Sequence, residues 1–131
     1  MTEKQRVRTL CVDFDGVIHS YTSGWMGAHL IPDPPLPGAI AFLRRASLAF
    51  RIVIFSSRSN QPGGLEAMRA WLNLFAFKED EDANEWLPQV EFATEKPPAF
   101  VTIDDRALTF NGDWNAYPVD YLLAFKPWNK K

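Results

Sequence analysis

The stretch "LCVDFDGVIHS" (residues 10–20) carries two acids, Asp13 and Asp15, directly after an apolar run. Two carboxylates one residue apart at the end of a hydrophobic segment repel each other and resist removal from water. A cation, or a reaction that uses both acids, would offset this cost. The stretch therefore predicts a buried strand that ends at a chemically active site.

Two further apolar runs resemble the run around Cys11. The three are "TLCVDF" (9–14), "RIVIF" (51–55) and "FVTID" (100–104). Apolar residues at consecutive positions are typical of strands in a parallel sheet with both faces covered. Helical spacing of apolar residues in 37–50 and 63–75 predicts two connecting helices. The alternation predicts an α/β fold, a three-layer, doubly wound, Rossmann-like parallel sheet. The residues expected to face the core are Ile40, Leu43 and Ala46 in the first helix, and Leu65, Met68, Leu72 and Phe75 in the second.

The composition is that of one globular domain spanning residues 1–131, with 47% apolar and 23% charged residues. A net charge of −2 argues against a broad nucleic-acid surface. The single cysteine, Cys11, excludes an internal disulfide and is expected to be buried and inert. The segment "MTEKQRVRTL" lacks the apolar core of a signal peptide, and no segment reaches the length of a membrane span. We therefore expect a cytoplasmic protein without membrane contact.

Three segments lie outside the predicted strands and helices. Residues 19–36 are rich in Gly and Pro and predict a mobile, flap-like insertion after the first strand. Residues 78–85, "KEDEDANE", predict a solvated acidic loop without a specific role. The tail 114–128 predicts a short helix from Pro118 that packs back on the sheet.

Polar residues follow each of the three predicted strands. In open parallel sheets, ligands bind beyond the carboxyl ends of the strands, where the loops converge. Carboxylates, hydroxyls and a lysine at one edge suit Mg²⁺-assisted phosphoryl chemistry, because Mg²⁺ takes hard oxygen ligands and a substrate phosphate. The residues are Asp13 and Asp15, then Ser56, Ser57 and Arg58, then Asp104, Asp105 and Arg106, with Lys96 just before the third strand.

The ordered set "DFDGV", "IVIFSSR" and "EKPPAFVTIDDRA" resembles the four motifs of the haloacid dehalogenase (HAD) superfamily of phosphohydrolases. The motifs span residues 10–107, and their order and strand context both match. The close spacing of Lys96 and "IDD" resembles the small stand-alone members. The resemblance implies a Mg²⁺-dependent phosphomonoesterase that acts through an aspartyl-phosphate intermediate.

The resemblance also implies a role for each acid. Asp13 is the expected nucleophile, and Asp15 the expected general acid and then base. The Mg²⁺ ligands would be the carboxylate of Asp13, the backbone carbonyl of Asp15 and the carboxylate of Asp105. Asp104 would be a ligand or lie close by.

The resemblance implies phosphate-binding roles for three other residues. Ser56, or Ser57 in its place, would hold phosphoryl oxygens, and Lys96 would neutralise charge between the phosphate and Asp13. Each has an alternative: an ordinary loop hydroxyl for Ser56, and a surface lysine for Lys96. Arg58 and Arg106 are candidates for substrate contact or for exposed ion pairs. His19 and His29 lack metal-ligand spacing and receive no role.

Neither insertion, 19–36 or 76–95, is large enough for a cap domain. The chain thus resembles capless members, in which a large substrate or a second subunit of a homo-oligomer covers the site. Expected substrates are a phosphorylated metabolite, a nucleotide or a nucleic-acid end. Trp25 in the flap could stack on a sugar or base, although a core or interface role suits a tryptophan better.

Two alternatives to a phosphatase stay open. One is a receiver-like, phospho-accepting signalling module, which also groups acids, a hydroxyl and a lysine around Mg²⁺. Receivers place the adjacent acid pair on the first strand, whereas here D-x-D comes first, which disfavours them. The other is a non-catalytic HAD-like module that binds a partner. A lone D-x-D would also fit a glycosyltransferase, but the full ordered set does not.

Overall fold

The computed structural model describes residues 7–129 as an α/β fold built on a four-stranded, all-parallel sheet. The strands lie in the order β3-β2-β1-β4. Their bounds are β1 Thr9–Val12, β2 Arg51–Ile54, β3 Glu91–Phe92 and β4 Val101–Ile103. The helices are α1 Ala39–Ser47, α2 Gly64–Glu79 and α3 Val119–Leu123, with short 3₁₀ turns at Ala83–Glu85, Leu87–Gln89 and Trp114–Ala116.

Both long helices form where the apolar spacing predicts them. Each begins after a glycine in the left-handed region, Gly38 at φ 88° and Gly63 at φ 77°, a conformation that glycine adopts without steric cost. In α1 the predicted core residues are the buried ones. In α2 Met68 and Leu72 are buried as predicted, and Leu65 and Phe75 are partly buried. Burial of Trp71 and Ala76 widens the stripe beyond the prediction.

The two helices lie on the same face of the sheet, as expected for one half of a doubly wound fold. The strand order makes β1-α1-β2 and β2-α2-β3 step in one direction, and right-handed crossovers then place both helices on one side. The helices contact each other and share one core with one face of β1 and β2. Cys11 and Val53, on the other face, are buried outside that core. No helix follows β3, since irregular chain leads directly to β4.

The strand β4 is less covered than its sequence predicts. Residues of β1 and β2 are buried on both faces, whereas Val101 is 44% exposed and Ile103 38% exposed. The tail does not cover this edge: α3 begins after Pro118 as predicted, but none of its residues is buried. The prediction that this helix packs back on the sheet is therefore wrong.

Two other expectations meet a different structure. The short strand β3 was not among the predicted strands, because two residues with one exposed acid, Glu91, carry no periodic signal. The predicted acidic loop has a structural contact, since Asp80 accepts hydrogen bonds from Arg44 and from the indole N–H of Trp86. Within residues 7–129, no helix is long and apolar enough to cross a membrane.

Candidate active site

A cavity of about 270 Å³ opens at the carboxyl ends of β1, β2 and β4. Arg106 and seven other residues that the sequence singles out line it, whereas Arg58 does not: the seven are Asp13, Asp15, Ser56, Ser57, Lys96, Asp104 and Asp105. The parallel strands explain this convergence, because their carboxyl ends meet at one edge of the sheet.

Asp13 follows β1 directly and is held by the sheet. Its backbone N–H donates to the carbonyl of Ile103 at 2.9 Å, so the end of β4 fixes where Asp13 lies. Burial in the cavity, together with the neighbouring carboxylates of Asp104 and Asp105, raises the pKa of Asp13 to about 7. The charged form of Asp13 is therefore disfavoured in this cavity, and a proton or a bound cation would relieve the repulsion.

Three carboxylates could hold a divalent cation. One oxygen each from Asp13, Asp104 and Asp105 lies within 4.8 Å of the others. The Oδ1 atom of Asp105 is buried and accepts no hydrogen bond from any residue of the described chain. A buried carboxylate oxygen without a donor is costly, and a cation would satisfy it. Oxygen-only donors fit Mg²⁺.

The turn after β1 has no room for a side chain at position 16, which is a glycine. Its φ is +78°, and a Cβ built there would lie 2.5 Å from Oδ2 of Asp105. The turn itself is closed by the carbonyl of Phe14, which accepts from the N–H groups of Ile18 and His19 at 2.9 Å each. The absent side chain at residue 16 therefore makes room for the carboxylate of Asp105.

The carboxylate of Asp15 accepts hydrogen bonds from two buried residues. His19 Nδ1 donates at 2.8 Å and Arg58 Nε at 2.9 Å. His19 Nε2 accepts from the backbone N–H of Asp33 at 3.2 Å, which assigns the ring proton to Nδ1. Sequence reasoning gave His19 no role, because a lone histidine four residues after an acid carries no distinctive signal.

Arg58 is fully buried, so neither an exposed ion pair nor direct substrate contact describes it. Its Nη1 donates to three carbonyls of the 19–36 segment, those of Gly27, Ala28 and Leu30, at 2.9–3.0 Å. Its guanidinium carbon lies 4.8 Å from the ring centre of Trp25. Arg58 therefore ties the end of β2 to Asp15 and to the predicted flap at once.

The 19–36 segment has further anchors of its own. The Ser23 backbone N–H and hydroxyl donate to Asp33 at 2.7 and 2.6 Å. The indole N–H of Trp71 donates to the carbonyl of Asp33 at 2.9 Å. Movement of the whole segment as a flap would break the Trp71 bond, whereas the Ser23 bonds lie within the segment. The mobility of the segment stays a prediction.

The three predicted phosphate-binding residues differ in their surroundings. Ser56 is buried, and its Oγ accepts from the backbone N–H of Arg58 at 3.1 Å, which leaves its hydroxyl proton free to donate elsewhere. Ser57 and Lys96 are exposed side chains on the cavity wall. Lys96 is thus within the candidate site although no helix separates it from β4.

Three polar residues of the cavity wall were missed by sequence reasoning: Tyr21, Thr102 and Asn129. Thr102 lies within a strand, and Asn129 lies far beyond the last motif. Neither position differs in sequence from an ordinary polar residue. Their placement follows from how the chain closes around the cavity.

Comparison of the chain with protein-family profiles, with curated proteins and with solved structures finds no significant match. The chemical capacity of the site therefore rests on its own residues. They offer a half-buried carboxylate, a second carboxylate beside it, hydroxyl and ammonium donors, and an oxygen-lined position suited to a divalent cation.

Proposed function

We propose that the chain is a Mg²⁺-dependent phosphohydrolase of the HAD superfamily that cleaves phosphate monoesters through an aspartyl-phosphate on Asp13. The observation that carries the proposal is the convergence of all motif residues on one cavity. They come from three strand ends and from a segment before β4, yet they line the same 270 Å³ space. A single acidic pair would not support this reaction over other uses of carboxylates.

The first half-reaction transfers the phosphoryl group to the protein. A carboxylate oxygen of Asp13 forms a bond to phosphorus while the ester P–O bond breaks, and the leaving oxygen takes a proton from Asp15. In the second half-reaction a water attacks the phosphorus of the aspartyl-phosphate. Asp15 accepts a proton of that water, and the bond between phosphorus and the Asp13 oxygen breaks. Inorganic phosphate then leaves, and the Asp13 carboxylate is regenerated.

The remaining residues bind charge. The Ser56 hydroxyl and the Lys96 ammonium donate to phosphoryl oxygens, whose negative charge they stabilise in the transition state. The carboxylates of Asp13 and Asp105 and the carbonyl of Asp15 would hold the cation, with Asp104 beside them. Bound Mg²⁺ would supply charge neutralisation between phosphate and carboxylates.

The substrate is a phosphorylated metabolite, a nucleotide or a nucleic-acid end. A cavity of about 270 Å³ is slightly smaller than typical small-molecule pockets, so it suits the phosphoryl group better than a whole substrate. The rest of the substrate, or a second subunit, would then cover the opening. Trp25, 45% exposed within the 19–36 segment, packs against Arg58 outside the cavity lining, and its stacking on a substrate stays a prediction.

A second candidate is a non-catalytic phosphate-binding module. The observation that favours it is the engagement of Asp15, whose two oxygens both accept from Arg58 or His19. A carboxylate in this arrangement acts as an acceptor, as the base of the second half-reaction requires. To act as the acid of the first, it must turn a protonated oxygen toward the leaving group.

Turnover of phosphomonoesters with Mg²⁺ separates the two candidates. Asp13→Asn should abolish turnover and phosphoenzyme formation, because an amide is a poor nucleophile. Asp15→Asn should slow alkyl phosphates strongly and spare transfer from p-nitrophenyl phosphate, whose leaving group departs without a proton. Equal losses on both substrates would refute the acid role of Asp15. No turnover across metabolites, nucleotides and phosphorylated oligonucleotides would favour the binding module.

A further inference from the structure

The chain after α3 returns to the candidate active site. The indole N–H of Trp128 donates to the carbonyl of Gly16 at 2.9 Å, across 112 residues of sequence. Pro127 is buried, although most of the tail before it is exposed. The carbonyl that Trp128 holds belongs to the same glycine that makes room for Asp105. These contacts fix the position of the next residue, Asn129.

Asn129 lines the cavity that contains the motif residues. Its Oδ1 is buried and accepts no hydrogen bond from any residue between 7 and 129. Oδ1 of Asp105 is in the same state, in the same cavity. Both side chains lie against Gly16, because a Cβ built there would be 2.5 Å from Asp105 Oδ2 and 3.5 Å from Asn129 Nδ2.

Two buried oxygens without donors belong to residues that line one cavity, and a positive or proton-donating group bound there would satisfy them. An unsatisfied buried acceptor is costly, and no ammonium or guanidinium group between residues 7 and 129 donates to either oxygen. A divalent cation or one of its waters would satisfy both. Mg²⁺ usually keeps several waters, and neutral amide oxygens commonly hold such waters in place.

We propose that Asn129 is a residue of the cation site, whose side-chain oxygen binds the Mg²⁺ or a water on it. This inference rests on the proposed function, since it uses the same cation. It extends the site beyond the strand-end motifs to the tail of the chain. Cation binding would then also hold residues 127–129 against the Gly16 turn.

The test measures Mg²⁺ binding to the full chain by isothermal titration calorimetry with MgCl₂ alone. Loss of a residue that orients a metal or its water typically costs 10–100-fold in affinity, so Asn129→Ala should weaken binding at least about tenfold. Asn129→Asp keeps an oxygen at the same place and should bind Mg²⁺ no more weakly than wild type. Asn73→Ala, exposed on α2, is the matched control and should leave binding unchanged.

The outcomes separate this inference from the proposed function. If Asn129→Ala binds like wild type while Asp105→Asn loses affinity, the role of Asn129 is wrong and the proposed function stands. If wild type itself does not bind Mg²⁺, both fail. If the Ala and Asp variants lose affinity equally and both melt earlier in EDTA, Asn129 has only a structural role and the inference is overturned.

Discussion

Gly16 decides whether the acids of the candidate site can share one cavity. It has a positive φ, and its missing side chain leaves the space into which Asp105 reaches. Of the two demands, the clash is the stricter, because 2.5 Å is far below a normal contact between carbon and oxygen. Gly16 therefore links the turn after β1 to the acids after β4.

Gly16→Ala tests this link. The new methyl group should displace Asp105, besides a backbone cost of about 1–2 kcal/mol. If Mg²⁺ binds the folded wild type it raises the melting temperature, and Gly16→Ala should abolish this rise. Gly24→Ala is the control, since Gly24 has φ 74° and nothing lies within 4 Å of its built Cβ. It should pay the backbone cost and keep the full Mg²⁺ response. Equal Mg²⁺ responses in both variants would contradict the role assigned to Gly16.

At the residue scale, the sequence predicts the ends of strands better than the partners of the acids there. Asp13 and Asp105 are recognisable because each follows an apolar run. His19 and Arg58 are not, because their role depends on burial beside Asp15, which arises from the packing of three separate segments. Asn129 is not recognisable in the sequence either, because the bond between Trp128 and Gly16 brings it to the cavity.

At the scale of elements, the segment 19–36 is held to the sheet mainly through Arg58. The guanidinium donates hydrogen bonds to one carboxylate and three carbonyls, all of which precede α1 in the chain. Nothing in a Gly- and Pro-rich composition predicts such an anchor. The predicted flap and the proposed acid–base residue Asp15 are therefore both hydrogen-bonded to Arg58.

Arg58→Met should destabilise the fold by about 3–5 kcal/mol, because it leaves the carboxylate of Asp15 largely buried without its guanidinium partner. Chemical denaturation followed by circular dichroism measures this. Arg51→Met removes the exposed pair with Glu91 and should cost no more than about 1 kcal/mol. Similar losses in the two variants would show that Arg58 anchors nothing.

The bond between Ser23 and Asp33 predicts a pH effect on the same segment. Burial alone would raise the pKa of Asp33, but the hydroxyl and N–H of Ser23 outweigh it and lower the pKa below its usual value. A carboxyl with a lowered folded pKa contributes stability above its unfolded pKa, about 3.9, and loses it as the pH falls further.

Ser23→Ala should therefore reduce the free energy of unfolding at pH 6, and the difference from wild type should shrink between pH 5 and pH 3. Denaturant titrations of both proteins across this range measure the difference, in which the other carboxyls largely cancel. A difference that stays constant down to pH 3 would show that the Ser23 bonds do not act through the charge of Asp33.

At the scale of the whole molecule, the sequence predicts the α/β class and the parallel sheet but not the distribution of layers. Apolar runs and helical spacing predict β1, β2, α1 and α2, whose apolar residues are buried, and an apolar run also predicts β4, whose apolar residues are exposed. They do not reveal on which side of the sheet a helix lies, because this depends on the order of the strands. The runs in β1 and β4 also look alike, although one strand is central and the other lies at an exposed edge.

The position of β1 between β2 and β4 also has a consequence for biosynthesis. Chains emerge from the ribosome N-terminus first. The strands β1 and β2 can therefore pair, and α1 and α2 can pack on them, before β4 has been synthesised. Asp13 would then be in place while the acids after β4 are still missing. The proposed reaction would become possible only after β4 pairs with β1. In pulse-labelled hydrogen exchange during refolding, the Phe55 amide, bonded to Val12, should be protected before the Asp13 amide, bonded to Ile103. Simultaneous protection of the two amides would mean that the sheet forms in one step and that the acids after β4 do not join the site later than Asp13.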